Sequence, residues 1–259
     1  MFTDHKAVFE KGRILKADML SSVRDYPRDR LELIYADYAD GIVAGARVEA
    51  TEQCLFVGKG LLKLNGRLLI MAEDTAVLYK ATGREQVLKA RLESGALEGD
   101  FMRCQASLVL DEHTELRDGE LELARFKLKE GARLRTAYRD FEDLATEYNT
   151  LHYVHATYAG LGRSTLHPVI TESFASSVMK SRGADGDDLA FAMLVMNQGM
   201  AQRELLLHYA ARRLGREYRE LSNFELYRAL LRILQLIQEG RGGPRGDFRA
   251  GGPQRMIVD

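Results

Sequence analysis

Apolar and polar positions alternate with a period of two over the first half of the chain and recur with a helical period over the second. From about Leu31 to Arg135, short apolar runs are broken by glycine. Leu31, Leu33 and Tyr35 share one face of a predicted strand, and Asp40-Gly41 opens a second run from Ile42 to Val48. In LFVGKGLLKLNGRLLIM two apolar runs flank Asn65-Gly66, residues that tolerate the positive φ angles of a type I′ turn, so a hairpin is predicted. GDFMRCQASLVLDE and ELELARFKLKEGARL alternate again, the second with Leu121, Leu123, Phe126 and Leu128 between charges. Alternation over several strands puts one face in a core and one in water. The expectation for residues 1–134 is an antiparallel, shell-like β-sandwich or barrel.

After Arg135 the period becomes helical. Tyr138, Phe141, Leu144, Ala145, Tyr148 and Leu151 fall on one stripe of a predicted helix, and Pro168 suits the first turn of the next. GADGDD breaks the chain, and its acids favour a new helix N-terminus. One long helix is predicted from about Asp187 to Leu214. Its Leu189, Met193, Met196, Met200, Leu207, Ala210 and Leu214 step like a coiled-coil seam interrupted by Arg203. Ser222 and Glu225 form a capping box for a last helix. Residues 135–240 thus read as a helical bundle, and the whole chain as α+β. The Gly/Arg-rich segment 241–259 holds too little apolar surface to fold alone and is expected to be a flexible tail.

Composition narrows the function classes. The 259 residues carry 37 basic and 38 acidic side chains, a net charge of -1, which speaks against nucleic acid as the main partner. Cys54 and Cys104 stand far apart without a CxxC motif and read as reduced thiols. No apolar run approaches the length of a membrane span, and the charged first twenty residues do not read as a signal peptide. A cytoplasmic protein without membrane insertion is expected.

The stretch YAGLGRSTLHP, Tyr158 to Pro168, suggests a phosphate cradle. It departs from the phosphate-binding loop in three ways. Thr157 stands where the first glycine belongs, Arg163 replaces the lysine, and the preceding residues are helical by period rather than a strand. A corner between two helices fits better, with Gly160 ending one and Ser164 or Thr165 capping the next. His152, His155 and His167 invite a metal reading, yet neither Glu-x-x-His nor His-Glu-x-x-His occurs, and His155 falls on the apolar stripe. Asp140, Glu142, Asp143 and Glu147 fit a solvated helix face, although paired catalytic carboxylates can share that pattern. Gly-x-Ser-x-Gly and Gly-x-Gly-x-x-Gly are both absent. No catalytic set, cofactor or metal is expected.

FEKGRILKADML, Phe9 to Leu20, resembles the N-terminal signature of TssK-type baseplate proteins of type VI secretion systems: an aromatic residue, an acidic-Gly step and a leucine. Phe9, Glu10, Gly12 and Leu15 supply these, while Lys11 intervenes before the glycine and Lys16-Ala17-Asp18-Met19 replaces a Pro-Gln-His-Phe segment. YADGIVAG resembles openings of phage baseplate and tail proteins, and the order of a β-rich part before helices agrees. The resemblance implies a non-enzymatic baseplate subunit, trimeric and bound to other baseplate proteins. Candidate contacts are Phe9 and Leu15 in the signature, and Leu189, Met193, Met196, Met200, Leu207 and Leu214 along the seam. The competing expectation is a nucleotide- or nucleic-acid-binding protein that uses GLGRST and the Arg/Gly tail.

Overall fold

Asn65 and Gly66 both adopt positive φ, 48° and 70°, and turn β4 (Gly60–Leu64) back onto β5 (Arg67–Met71), the hairpin their sequence predicts. The chain is seen here in a computed structural model that describes residues 3–4 and 6–240. The tail expected at 241–259 lies outside the described residues.

The chain folds as α+β, with strands in its N-terminal part and helices in its C-terminal part. β1 (Gly41–Gly45) pairs antiparallel with β4 and parallel with β12 (Thr157–Tyr158), and β13 (Thr165–Leu166) completes a five-stranded sheet in the order β13-β12-β1-β4-β5. The β1–β12 pair departs from the wholly antiparallel pairing expected. β2 (Val48–Ala50), β3 (Cys54–Val57) and β6 (Thr75–Leu78) form one small sheet in the order β2-β3-β6. β7 (Glu85–Leu92) is the centre of another, between β10 (Ala106–Asp111) and β11 (Glu120–Lys127). β8 (Ala96–Glu98) and β9 (Phe101–Arg103) make a separate two-stranded hairpin. The run expected as one strand from Phe101 breaks at Cys104-Gln105, and its halves join different sheets.

Two expectations fail for the same reason: periodicity does not reveal where the backbone finds its partners. Leu31 and Leu33 belong to α1 (Ala17–Ile34), not to a strand. Charges three and four apart suit a helix there, and Arg28 Nε donates to Glu32 at 2.9 Å. The helix predicted from Tyr138 onward does not form; only one 3-10 turn does, at Glu142–Ala145. Its backbone pairs sideways instead. Arg125 and His152 exchange both N–H···O bonds at 3.0 and 2.7 Å, and Asn149 sits at φ 60°. The apolar residues that mimic a helical stripe serve two different cores. Leu151 and Tyr153 join Ile42, Leu55, Leu88 and Phe126 among the strands, while Phe141 and Leu144 join the helical cluster.

That cluster is built from α2 (Pro168–Lys180), α3 (Gly186–Gln198), α4 (Arg203–Leu214) and α5 (Asn223–Gln238). Pro168 opens α2 as expected, but the cap is His167, whose Nδ1 accepts from Val169 N at 3.2 Å. Asp185 and Asp188 form a capping box on α3, and Ser222 and Glu225 the expected one on α5. The single helix predicted from Asp187 to Leu214 is two. Gly199 ends α3 at φ 71°, a left-handed position that favours glycine, and its N–H returns to Val195 O. Phe174, Phe191 and Tyr209 pack ring on ring at the centre, with Phe191 stacked on Tyr209 at 4.0 Å.

Candidate interaction surface

α1 has no buried residue over its 18 positions. At 100° per residue its apolar side chains gather into a stripe roughly 160° wide. Along it Leu20 is 54% exposed, Val23 53%, Tyr26 57% and Leu33 77%. Asp18, Asp25, Asp29 and Glu32 fall together on the polar side, while Arg24 and Arg28 lie along the opposite edge of the stripe. The segment before the helix continues the apolar surface, with Phe9 and Leu15 both more than half exposed. These two candidate residues therefore stand on the surface beside the helix. The sequence reading missed α1, although the spacing of Leu20, Val23, Leu31 and Ile34 is helical; Pro27 inside the helix hides the signal.

The expected seam does not survive as one face. Met193 and Met196 are exposed on α3, Leu189 and Met200 are half-buried, and Leu207 lies in the core. Leu214 is half-buried against that core. The turn after Gly199 reorients α4, so the structure does not align the two groups.

A groove of about 430 Å³ runs between α4 and α5. Leu207, Leu214, Leu221 and Leu231 line it, and Arg216, Arg219, Arg228 and Arg232 stand around it with Glu217 and Glu225. Arg219 reaches Glu225 only at 4.0 Å, and Arg232 reaches Glu239 at 3.9 Å, between side chains half exposed or more in most cases. Such pairs are weak and leave the arginines open to a stronger acidic partner.

GLGRST forms the connection of the β12–β13 hairpin rather than a corner between helices, because Thr157 and Tyr158 pair with Leu166 and Thr165. Two of its donors are already engaged: Leu161 N–H with Gln202 Oε1 at 3.0 Å, and Gly162 N–H with Asp37 O at 2.7 Å. Arg163 faces the carboxylates of Glu204 and Glu220. A phosphate would find the Leu161 and Gly162 N–H groups taken and the Arg163 cation paired. Gly160 is required by close approach, since a Cβ there would lie 2.4 Å from Arg163 O.

The histidines do not converge. His155 stacks on Phe224 at 5.7 Å between ring centres, and His167 stacks on Tyr153 at 4.5 Å. Burial, with Arg125 nearby, lowers His155 to about 4; burial, with Arg47 nearby, lowers His167 to about 4. Burial also lowers His152. Among the described residues no group of three or more His, Cys, Asp or Glu side chains is placed to hold a metal. The acidic cluster is structural. Asp143 is buried and receives both Arg135 guanidinium nitrogens at 2.5 Å, while Asp140 Oδ1 accepts from Asp143 N–H at 2.9 Å, Glu147 pairs with Lys127, and Glu142 is exposed. That salt link, backed by Arg139 N–H and Thr146 Oγ1, holds Asp143 far below the usual carboxylate range. Cys54 and Cys104 are free and half-buried. Among the described residues no helix is long and apolar enough to cross a membrane.

No family model matches the sequence, and no curated protein matches it. Among solved structures the chain is similar to a crystal structure of TssK, with 12% identity over 92% of this chain and 72% of that one, at a TM-score of 0.43. It is also similar to a chain from a cryo-electron microscopy structure of the type VI secretion system TssK-TssF-TssG baseplate subcomplex, with 9% identity over 92% of this chain and 99% of that one, at a TM-score of 0.37.

Proposed function

We propose that this chain is a non-enzymatic structural subunit of a phage-tail-like contractile injection or type VI-like secretion baseplate. It works in the cytoplasm by assembling with copies of itself, as a trimer, and by contacting other baseplate proteins. The observation that carries this reading is α1, an amphipathic helix of 18 residues with most of its apolar side exposed. A helix of about 27 Å in which nothing is buried gains little from its own chain and is marginal alone. An apolar surface of this kind marks a protein contact. A membrane surface suits it less well, since its acids outnumber its bases. The residues that resemble the TssK-type signature, Phe9, Glu10, Gly12 and Leu15, lie just before this helix.

Light scattering on the full chain eluting from a size-exclusion column tests the proposal. The expected mass is a multiple of the 29.2 kDa chain. A strict monomer at micromolar concentration overturns it.

A further inference from the structure

Two surfaces of the chain stand open among the described residues: the α1 stripe with its acidic side, and the α4–α5 groove with its arginine rim. Their chemistries match. The groove offers leucines beneath four arginines and two glutamates. α1 offers leucine, valine and tyrosine beside Asp18, Asp25, Asp29 and Glu32. Arg30, which falls within the apolar stripe, can answer Glu217 or Glu225. An amphipathic helix laid into an apolar groove is a recurrent mode of recognition, and opposite charges on the two rims set its orientation and register.

We propose that α1 of one copy docks into the α4–α5 groove of a second copy. Among the described residues no segment fills this groove. Ala39 N–H bonds to Gly160 O at 2.9 Å and Gly162 N–H to Asp37 O at 2.7 Å, which anchors the base of α1 on the β12–β13 connection. From that base α1 runs with no residue buried. One donor surface and one acceptor surface per chain make a head-to-tail contact, and repetition of such a contact closes a ring when the rotation permits. This inference rests on the self-assembling reading above and adds the surfaces that assemble.

Paired cysteines test it on the full chain. Val23→Cys is placed in one batch and Gln235→Cys, in the groove, in another; wild type controls for Cys54 and Cys104. Mild oxidation of the mixture is expected to give a disulfide-linked product of twice the chain mass that neither batch gives alone. A product from V23C alone means that two α1 helices pair with each other, and it overturns the proposal. So does a monomer-mass disulfide in the V23C/Q235C double variant, which means that the helix reaches its own groove.

Charge reversal supplies the second arm. R219E/R232E is expected to raise the dissociation constant at least about tenfold, and D25R/D29R in the same chain to restore part of the loss. If wild type is oligomeric, R219E/R232E does not weaken it and no mixed disulfide forms, the groove is wrong while self-assembly stands. If wild type is a monomer, the self-assembling reading itself fails.

Discussion

Glu120 places a carboxylate almost out of water on β11, beside two cations of β7. Its side chain is 2% exposed and that of Lys89 1%. Burial on its own would raise the Glu120 pKa. The Arg117 N–H at 3.1 Å, Arg91 Nε at 2.8 Å and Lys89 Nζ at 3.2 Å outweigh burial and hold it at about 2, against an ordinary 4.5. That difference is worth at most about 3 kcal/mol to the folded state. The folded pKa is depressed, so the contribution is fully present above pH 4.5 and disappears as pH falls through 2. At pH 3 the unfolded chain is already protonated while the folded chain is not, and about 1.4 kcal/mol remains. Glu120→Gln removes the titration and keeps the shape. Urea unfolding of wild type and E120Q at pH 7 and pH 3 is expected to give a stability difference that narrows by about 2 kcal/mol at the lower pH. A difference that stays constant between the two pH values refutes the reasoning, because the carboxylate would then have the same pKa in both states.

Two further outcomes follow from the site. Gly160→Ala drives a Cβ against Arg163 O, a backbone atom, and is expected to cost about 1–3 kcal/mol; Gly162→Ala, at φ 71° with nothing within 4 Å, should cost about 1 kcal/mol, and thermal unfolding reads both. His167 is held neutral by burial at a pKa of about 4. Its contribution to stability is therefore complete above pH 6.5 and lost as pH falls through 4, and an NMR titration midpoint near 6.5 would show the burial argument to be wrong.

The sequence discloses local chemistry best. Asn65-Gly66, Pro168 and the capping box at Ser222 each dictate geometry within a few residues, and each appears as read. The alternation of Glu120–Lys127 gives a strand but not a wet face, since residues 120–124 are all buried. Longer patterns mislead where one stretch serves two masters. Between Phe141 and Val154 successive apolar residues point into different cores, and their summed spacing imitates a single helical face. Buried ions hide as well. Nothing in the spelling of Lys89 and Glu120 shows that the β10-β7-β11 sheet brings them together across 31 positions. The α4–α5 groove escapes for a related reason: its arginines come from the loop after α4 and from α5, and only the packing of the two helices puts them around one set of leucines.

α1 shows why this protein is better read from its surface than from a pocket. Interior Pro27 breaks the hydrogen-bond ladder at a cost of about 3 kcal/mol relative to alanine, and Asp18, Ser21, Ser22, Asp25 and Asp29 are poor helix formers. Arg24–Asp25 and Arg28–Glu32 pairs on a face open to water return little. With only Met19 and Leu31 of its stripe half-buried and nothing fully buried, the helix has little tertiary packing to offset these terms. Ordering the helix and covering it then become one equilibrium, and part of the contact energy goes into holding the helix together. Under the proposed self-assembly, the helix would be completed by the copy that covers it. Such coupling also separates the jobs of the two kinds of charge in the chain. Glu120 and Asp143, sealed among their cations, hold the fold; the acids of α1 and the arginines of the groove, left in water, are available to choose a partner.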